Sequence, residues 1–173
     1  LRWQTQEEEA EMIRLLAADG REDLAQLVAC LADTGCRRSE LLGLKWEDVD
    51  GNWVRLWETK GGTSRSIPCT QRVASILEAR REHGGDGPFT GVHQAHLEYA
   101  WNKAKKAMGL EGDKGFTPHC LRHGCASRLV QAGVPILTVK ELLGHAKLET
   151  TLIYAHLAPR NLEDAVRLLE SGR

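Results

Sequence analysis

The residues best suited to chemistry gather late in the chain, between Thr117 and Tyr154. Thr117-Pro118-His119-Cys120-Leu121-Arg122-His123 reads as a helix start, with Thr117 able to cap and Pro118 tolerated in the first turn. On such a helix His119 and Arg122 lie three residues apart and leave the same face. A proton-transfer group then stands beside a permanent cation whose planar fork suits a phosphate. Leu143-Gly144-His145 adds a further histidine, and Thr150-Thr151-Leu152-Ile153-Tyr154 brings a phenol within the next few turns. A free phenol has a pKa of about 10, so a tyrosine nucleophile needs a nearby base and a strongly positive site. The stretch is read as a phosphate-handling site with a tyrosine nucleophile. Taken singly, each residue has a plainer reading: Tyr154 as an aromatic core residue, His145 as a helix-terminal cation, His123 as a structural hydrogen-bonding group.

The elements that must position these residues follow from the hydrophobic pattern. Thr5 caps a helix running from Glu7-Glu8-Glu9 to about Ala18, stopped by Asp19-Gly20. Leu24, Leu27, Val28 and Leu31 form the apolar stripe of a second helix that ends near Thr34-Gly35. Ser39 is placed as the cap of a short helix behind Arg37 and Arg38. Trp53 to Thr59 and Ser64 to Pro68 read as a hairpin with Lys60 at its tip. Helices are expected from Thr70, over Val92–Met108 (Lys103, Lys105 and Lys106 on a solvated face), from Thr117 to Gln131, over Pro135–Leu143 and over Leu148–His156. A terminal helix carries Leu162, Val166 and Leu169. The fold class is α+β: a mostly helical single domain with a small antiparallel β-sheet.

Of the 173 residues 42% are hydrophobic, enough for one domain with a real core. No window is long and apolar enough to span a membrane, and no signal peptide is recognisable. Five cysteines without a short-spaced framework favour reduced thiols in a cytoplasm. The net charge of −1 does not advertise a nucleic-acid binder, but residues 1–24 hold seven acids against three arginines, which leaves the remainder net +3.

Taken in order, the motifs resemble the catalytic domain of tyrosine recombinases, the phage-integrase family. They are Thr34-Gly35-Cys36-Arg37 with Glu40-Leu41 and Leu44; Lys60 ahead of Arg65 and Pro68; His119-x-x-Arg122-His123; Leu143-Gly144-His145; and Thr151-x-x-Tyr154. The resemblance covers the chain from about Thr5 to about Leu169. It implies that Arg37 and Arg122 clamp the scissile phosphate of double-stranded DNA and that His145 donates to it. It implies further that Tyr154 attacks phosphorus to give a 3′-phosphotyrosyl intermediate, that Lys60 protonates the leaving 5′-oxygen, and that His119 assists proton transfer at the tyrosine. Glu40 would orient neighbouring basic groups, and Arg38, Lys45 and Arg65 would contact DNA. The resemblance further implies an N-terminal core-binding domain, expected to lie outside residues 1–173, with residues 1–4 read as a linker remnant. Residues 157–173 read as a tail that packs on a neighbour in a synaptic homotetramer, with the isolated chain monomeric.

No metal or cofactor is implied, and no carboxylate cluster is present to hold Mg²⁺. His119, Cys120, His123 and Cys125 superficially resemble a metal cluster, but the spacing is not that of a zinc site; both cysteines read as small buried hydrophobes. Arg38 stands where the family has an apolar residue, which leaves Arg38 as an alternative to Arg37 in the clamp. Two other readings remain: a catalytically silent DNA-binding module on the same fold, and a type IB topoisomerase-like enzyme.

Overall fold

Thr5 opens the first helix by reciprocal capping: its Oγ1 accepts from the Glu8 N–H at 3.1 Å, and the Glu8 carboxylate accepts from the Thr5 N–H at 2.8 Å. The computed structural model describes residues 1–57, 64–159 and 162–171. Helix α1 spans Gln6–Ala18 and α2 spans Glu22–Thr34. The α2 stripe of Leu24, Leu27, Val28 and Leu31 is buried as its period requires, against α1, α4 (Gln71–Arg80) and α6 (Cys120–Gln131). Each such leucine contributes roughly 2 kcal/mol through burial. Gly35 ends α2 in the left-handed region at φ 63°, and a Cβ there would lie 2.7 Å from Leu143 Cδ2. Glycine is therefore required twice over at this position, by backbone and by space.

Helix α3 (Arg38–Leu42) leads to strands β1 (Val49–Asp50), β2 (Trp53–Trp57) and β3 (Ser64–Pro68), an antiparallel sheet in that order. Val54 pairs with Ile67 and Leu56 with Arg65. Alternation then puts Arg65 on the same face as buried Val54, Leu56 and Ile67, aimed inward. Helix α5 (Gln94–Ala107) buries Leu97, Ala100, Trp101 and Ala104, with Trp101 Nε1–H donating to the Phe116 carbonyl at 3.0 Å. Helices α7 (Ile136–Leu143), α8 (Glu149–Leu152) and α9 (Leu162–Ser171) follow. A large core joins α1 to α6, and a second, smaller cluster comprises Ala126, Val130, Val139, Leu143 and Tyr154. Among the described residues no helix is long and apolar enough to cross a membrane.

Several local expectations change. Ser39 does not cap α3; Arg37 precedes it, and the Glu40 carboxylate reaches back to accept from the Arg37 N–H at 2.7 Å. Helix α6 begins at Cys120 rather than at Thr117, because residues 117–119 form a turn first. The helix expected over Leu148–His156 breaks after Leu152; Ile153 and Tyr154 turn, and a 3-10 turn covers Ala155–Leu157. Residues 2–4 pack on the domain. Arg2 pairs with Glu8 and Asp113 and lies over the Phe116 ring, and Gln4 is buried. Lys105 is tucked against the Asp113 carbonyl and not part of a solvated face.

Candidate active site

Arg122 is the hub of the site. Its side chain leaves α6 only 4% exposed, and its guanidinium donates to the Gly35 carbonyl at 2.6 Å and the Leu143 carbonyl at 2.7 Å. The last carbonyls of a helix lack intrahelical partners and carry the negative end of its dipole, so the ends of α2 and α7 suit this cation. Two more arginines use the end of α7: Arg65 Nε–H donates to Leu142 at 3.0 Å and Arg37 to Gly144 at 3.2 Å. Burial, with the Arg37 charge beside it, lowers the Arg122 pKa to about 10, which leaves it cationic at neutral pH.

Glu40 ties this set together. Its side chain is 5% exposed and takes both terminal nitrogens of Arg65, at 2.8 and 3.0 Å, and Arg37 Nη1 at 3.1 Å. Burial pushes the carboxyl upward, but the Arg65 hydrogen bonds, the Arg37 N–H and both guanidinium charges outweigh it and hold it below the usual carboxylate range. Arg65 is therefore an internal strut between β3, α3 and α7, turned inward by the register of β3. Glu40 thus hydrogen-bonds the guanidinium groups of both Arg37 and Arg65.

Arg37, Arg38, His119 and Arg122 line one cleft of about 560 Å³. Arg37 is the arginine whose charge bears most on Arg122, whereas Arg38 pairs with Glu98 at 3.0 Å. Of the two, Arg37 is therefore the one electrostatically coupled to Arg122. Lys45 is exposed ahead of the Trp46–Asp48 turn. Lys60 lies outside the described residues.

Gly144 sits in the left-handed region at φ 68°, and a Cβ on it would meet Arg65 Nη1 at 2.5 Å. The turn delivers His145, whose Nδ1 is 2.8 Å from Thr151 Oγ1. Burial, followed by the charges of Arg122, Arg37 and Arg65, pushes the His145 pKa down to about 4, so the ring is neutral at pH 7. His119 is exposed at the cleft; burial of its inner part and the charges of Arg122, Arg37 and Arg38 lower its pKa as well.

Tyr154 is 1% exposed and belongs to the small core. Its hydroxyl lies 2.6 Å from His123 Nδ1. Burial raises its pKa, against the opposing charge of Arg122. The histidine touching the phenol is thus His123, not His119, which stacks edge-on against His123 with ring centroids 4.7 Å apart. Sequence reasoning treated His123 as structural; its spacing of four from His119, one turn on along the same face, was the signal available. Cys36 and Cys120 are buried with thiols pushed up to about 12, which makes them poor nucleophiles. Among the described residues no group of three or more His, Cys, Asp or Glu is placed to hold a metal ion.

The model of the phage integrase family matches residues 3–161. The tyrosine recombinase XerA of Pyrococcus furiosus is 33% identical over 94% of this chain and 59% of its own length. The integrase of Escherichia phage P2 is 31% identical over 95% of the chain and 45% of its own length, so the chain spans about half the length of these relatives. The catalytic domain of bacteriophage HP1 integrase superposes with a TM-score of 0.76 at 30% identity, over 96% of this chain and 94% of that one. A chain of XerH recombinase bound to a palindromic difH substrate, in a post-cleavage complex, gives 0.73 at 25% identity over 98% of this chain and 53% of that one. Matched over 159 of its residues, this chain belongs to the phage integrase family.

Proposed function

We propose that this chain is the catalytic domain of a site-specific DNA recombinase that cuts and rejoins strands through a 3′-phosphotyrosyl intermediate. The observation that carries the reading is the convergence on Arg122, whose charge acts on His119, His123, His145 and Tyr154. A buried phenol beside a fixed guanidinium is suited to phosphoryl transfer without a metal, because the positive field stabilises the extra charge of a five-coordinate phosphorane. In this reading Arg37 and Arg122 clamp the non-bridging oxygens, His145 donates to them, Tyr154 attacks, and Lys60 protonates the 5′-oxygen. Double-stranded DNA carrying a specific site is the substrate, and the cytoplasm, where such DNA lies, is the working compartment. An N-terminal core-binding domain would close around the DNA. The exposed leucines of α9, Leu162, Leu168 and Leu169 with Val166, suit a tail that docks on a neighbouring copy in a synaptic tetramer.

Covalent trapping tests the reading. The chain, alone and joined to a DNA-binding arm, is mixed with a pool of nicked suicide duplexes in the presence of a chelator and resolved on a denaturing gel. A slow-migrating protein–DNA adduct that vanishes in Tyr154→Phe is the expected result. Clear DNA binding without an adduct would favour the silent module, and an adduct surviving Tyr154→Phe would mean another nucleophile.

A further inference from the structure

We propose that His123 is the proton acceptor for Tyr154: its Nδ1 takes the phenolic proton as the oxygen attacks phosphorus and returns it when the strand is rejoined. The inference rests on the recombinase reading but names a group that the family motifs leave without chemistry.

The geometry carries it. Nδ1 and Oη are 2.6 Å apart, a direct contact short enough for transfer without an intervening water. The other histidines of the site are committed elsewhere. His145 directs Nδ1 at Thr151, and His119 stands at the cleft with its ring edge-on to His123. Among the described residues the charged and titratable groups around His123 are His119 in the turn ahead of its helix, Arg122 on that helix, the Leu1 amino group, His145 beyond α7, and Tyr154 itself. Among the described residues no carboxylate belongs to that set, so nothing in it favours a resting imidazolium. A neutral ring with an open Nδ1 lone pair is the form that can accept. Burial, then the neighbouring His119 and Arg122, keeps it so at pH 7 by pushing its pKa down to about 4. Once a phosphate enters, its negative charge lies near the nascent imidazolium and favours the transfer.

The step balances. The Tyr154 O–H bond breaks, its electron pair forms the bond from Oη to phosphorus, and the proton goes to His123 Nδ1. The bond from phosphorus to the 5′-oxygen breaks, and that oxygen takes its proton from a separate acid, the part the recombinase reading gives to Lys60. In rejoining, the imidazolium returns its proton to the departing phenolate.

Two experiments test this. In the chain without DNA, nitrogen NMR of the histidines should find His123 as the Nε2–H tautomer, with Nδ1 accepting from Tyr154; an Nδ1–H tautomer donating to the phenol overturns the proposal. With a nicked duplex captured in the trapping experiment, single-turnover adduct formation at saturating DNA is compared for wild type and His123→Gln. Glutamine can hydrogen-bond the phenol but cannot carry its proton. The expected slowing is about 10²- to 10³-fold with DNA affinity unchanged. The same deficit should persist on a duplex with a sulfur at the 5′-bridging position, where the leaving group needs no acid. His123→Gln forming adduct at the wild-type rate, while Tyr154→Phe forms none, overturns the role of His123 and leaves the recombinase reading standing. Wild type forming no adduct from any duplex overturns both, and the tautomer still reports on His123 independently.

Discussion

Arg65 holds Glu40 through both of its terminal nitrogens, at 2.8 and 3.0 Å, across 25 residues of sequence. The pair is largely withdrawn from solvent, with side-chain exposures of 13% and 5%. Breaking a buried pair leaves an uncompensated charge. Glu40→Gln should therefore cost about 2 to 4 kcal/mol, read as a lower urea midpoint with an unchanged m-value.

Arg122 and Arg37 separate under conservative replacement. A lysine ammonium at position 122 is a compact point charge and cannot span the Gly35 and Leu143 carbonyls as the planar fork does. Arg122→Lys should lose about 2 kcal/mol of stability. Arg37, with its side chain 42% exposed, should lose under about 1 kcal/mol on Arg37→Lys. Both variants should lower the rate of adduct formation by about 10²- to 10³-fold. Thermal melts beside the trapping assay check the contrast; equal destabilisation of the two would contradict the assignment of Arg122 as the buried anchor.

The glycines offer an internal control. Gly133 also has a positive φ, 84°, but a Cβ there would meet nothing within 4 Å, whereas at Gly144 it would strike the Arg65 guanidinium. Gly133→Ala should cost about 1 kcal/mol, the backbone penalty alone. Gly144→Ala should cost about 2 kcal/mol or more, since displacement of Arg65 from Glu40 is added. The difference in melting temperature between the two variants is the measurement.

Stability should fall on mild acidification. His123 and His145 are held at about 4 in the folded chain, first by burial and then by the surrounding cations, against about 6.5 when unfolded. Below about 6.5 the unfolded chain binds protons that the folded chain refuses, so this stability is intact above that pH and declines toward pH 4. Glu40 and Asp33, both lowered, act only below the ordinary carboxylate range, so the window from about pH 6.5 to 5 isolates the histidines. Urea titrations across it should show a steep fall in wild type and a shallower one in His123→Gln with His145→Gln, where only His119, also lowered, still contributes.

What could be read from the sequence was what depends on near neighbours. The Thr5 cap, the Leu24 to Leu31 stripe, the hairpin and the glycine after each of α2 and α7 are local devices, and all appear. The family motifs also delivered Arg37, Arg122, His145 and Tyr154 to one region. Partnerships over distance were not legible. Arg65 meets Glu40 only because the β-register turns it inward, and nothing in the Ser64–Pro68 pattern distinguishes an inward arginine from a solvated one. His123 meets Tyr154 across 31 residues because the chain turns at Ile153, where helical periodicity predicted continuation. The three arginines at the end of α7 required knowing where that end lies relative to α2.

Among the described residues Tyr154 is one of five buried residues in the smaller of the two cores, and the larger core excludes it. Cooperative units with fewer apolar contacts open at lower free energy than the whole. The segment bearing the phenol can therefore loosen while α1, α2 and α5 remain folded, and amide exchange should run in two tiers, faster from Val139 to Leu157. The nucleophile is mounted on the part of the chain easiest to withdraw, so its availability is governed by a local equilibrium rather than by unfolding of the domain.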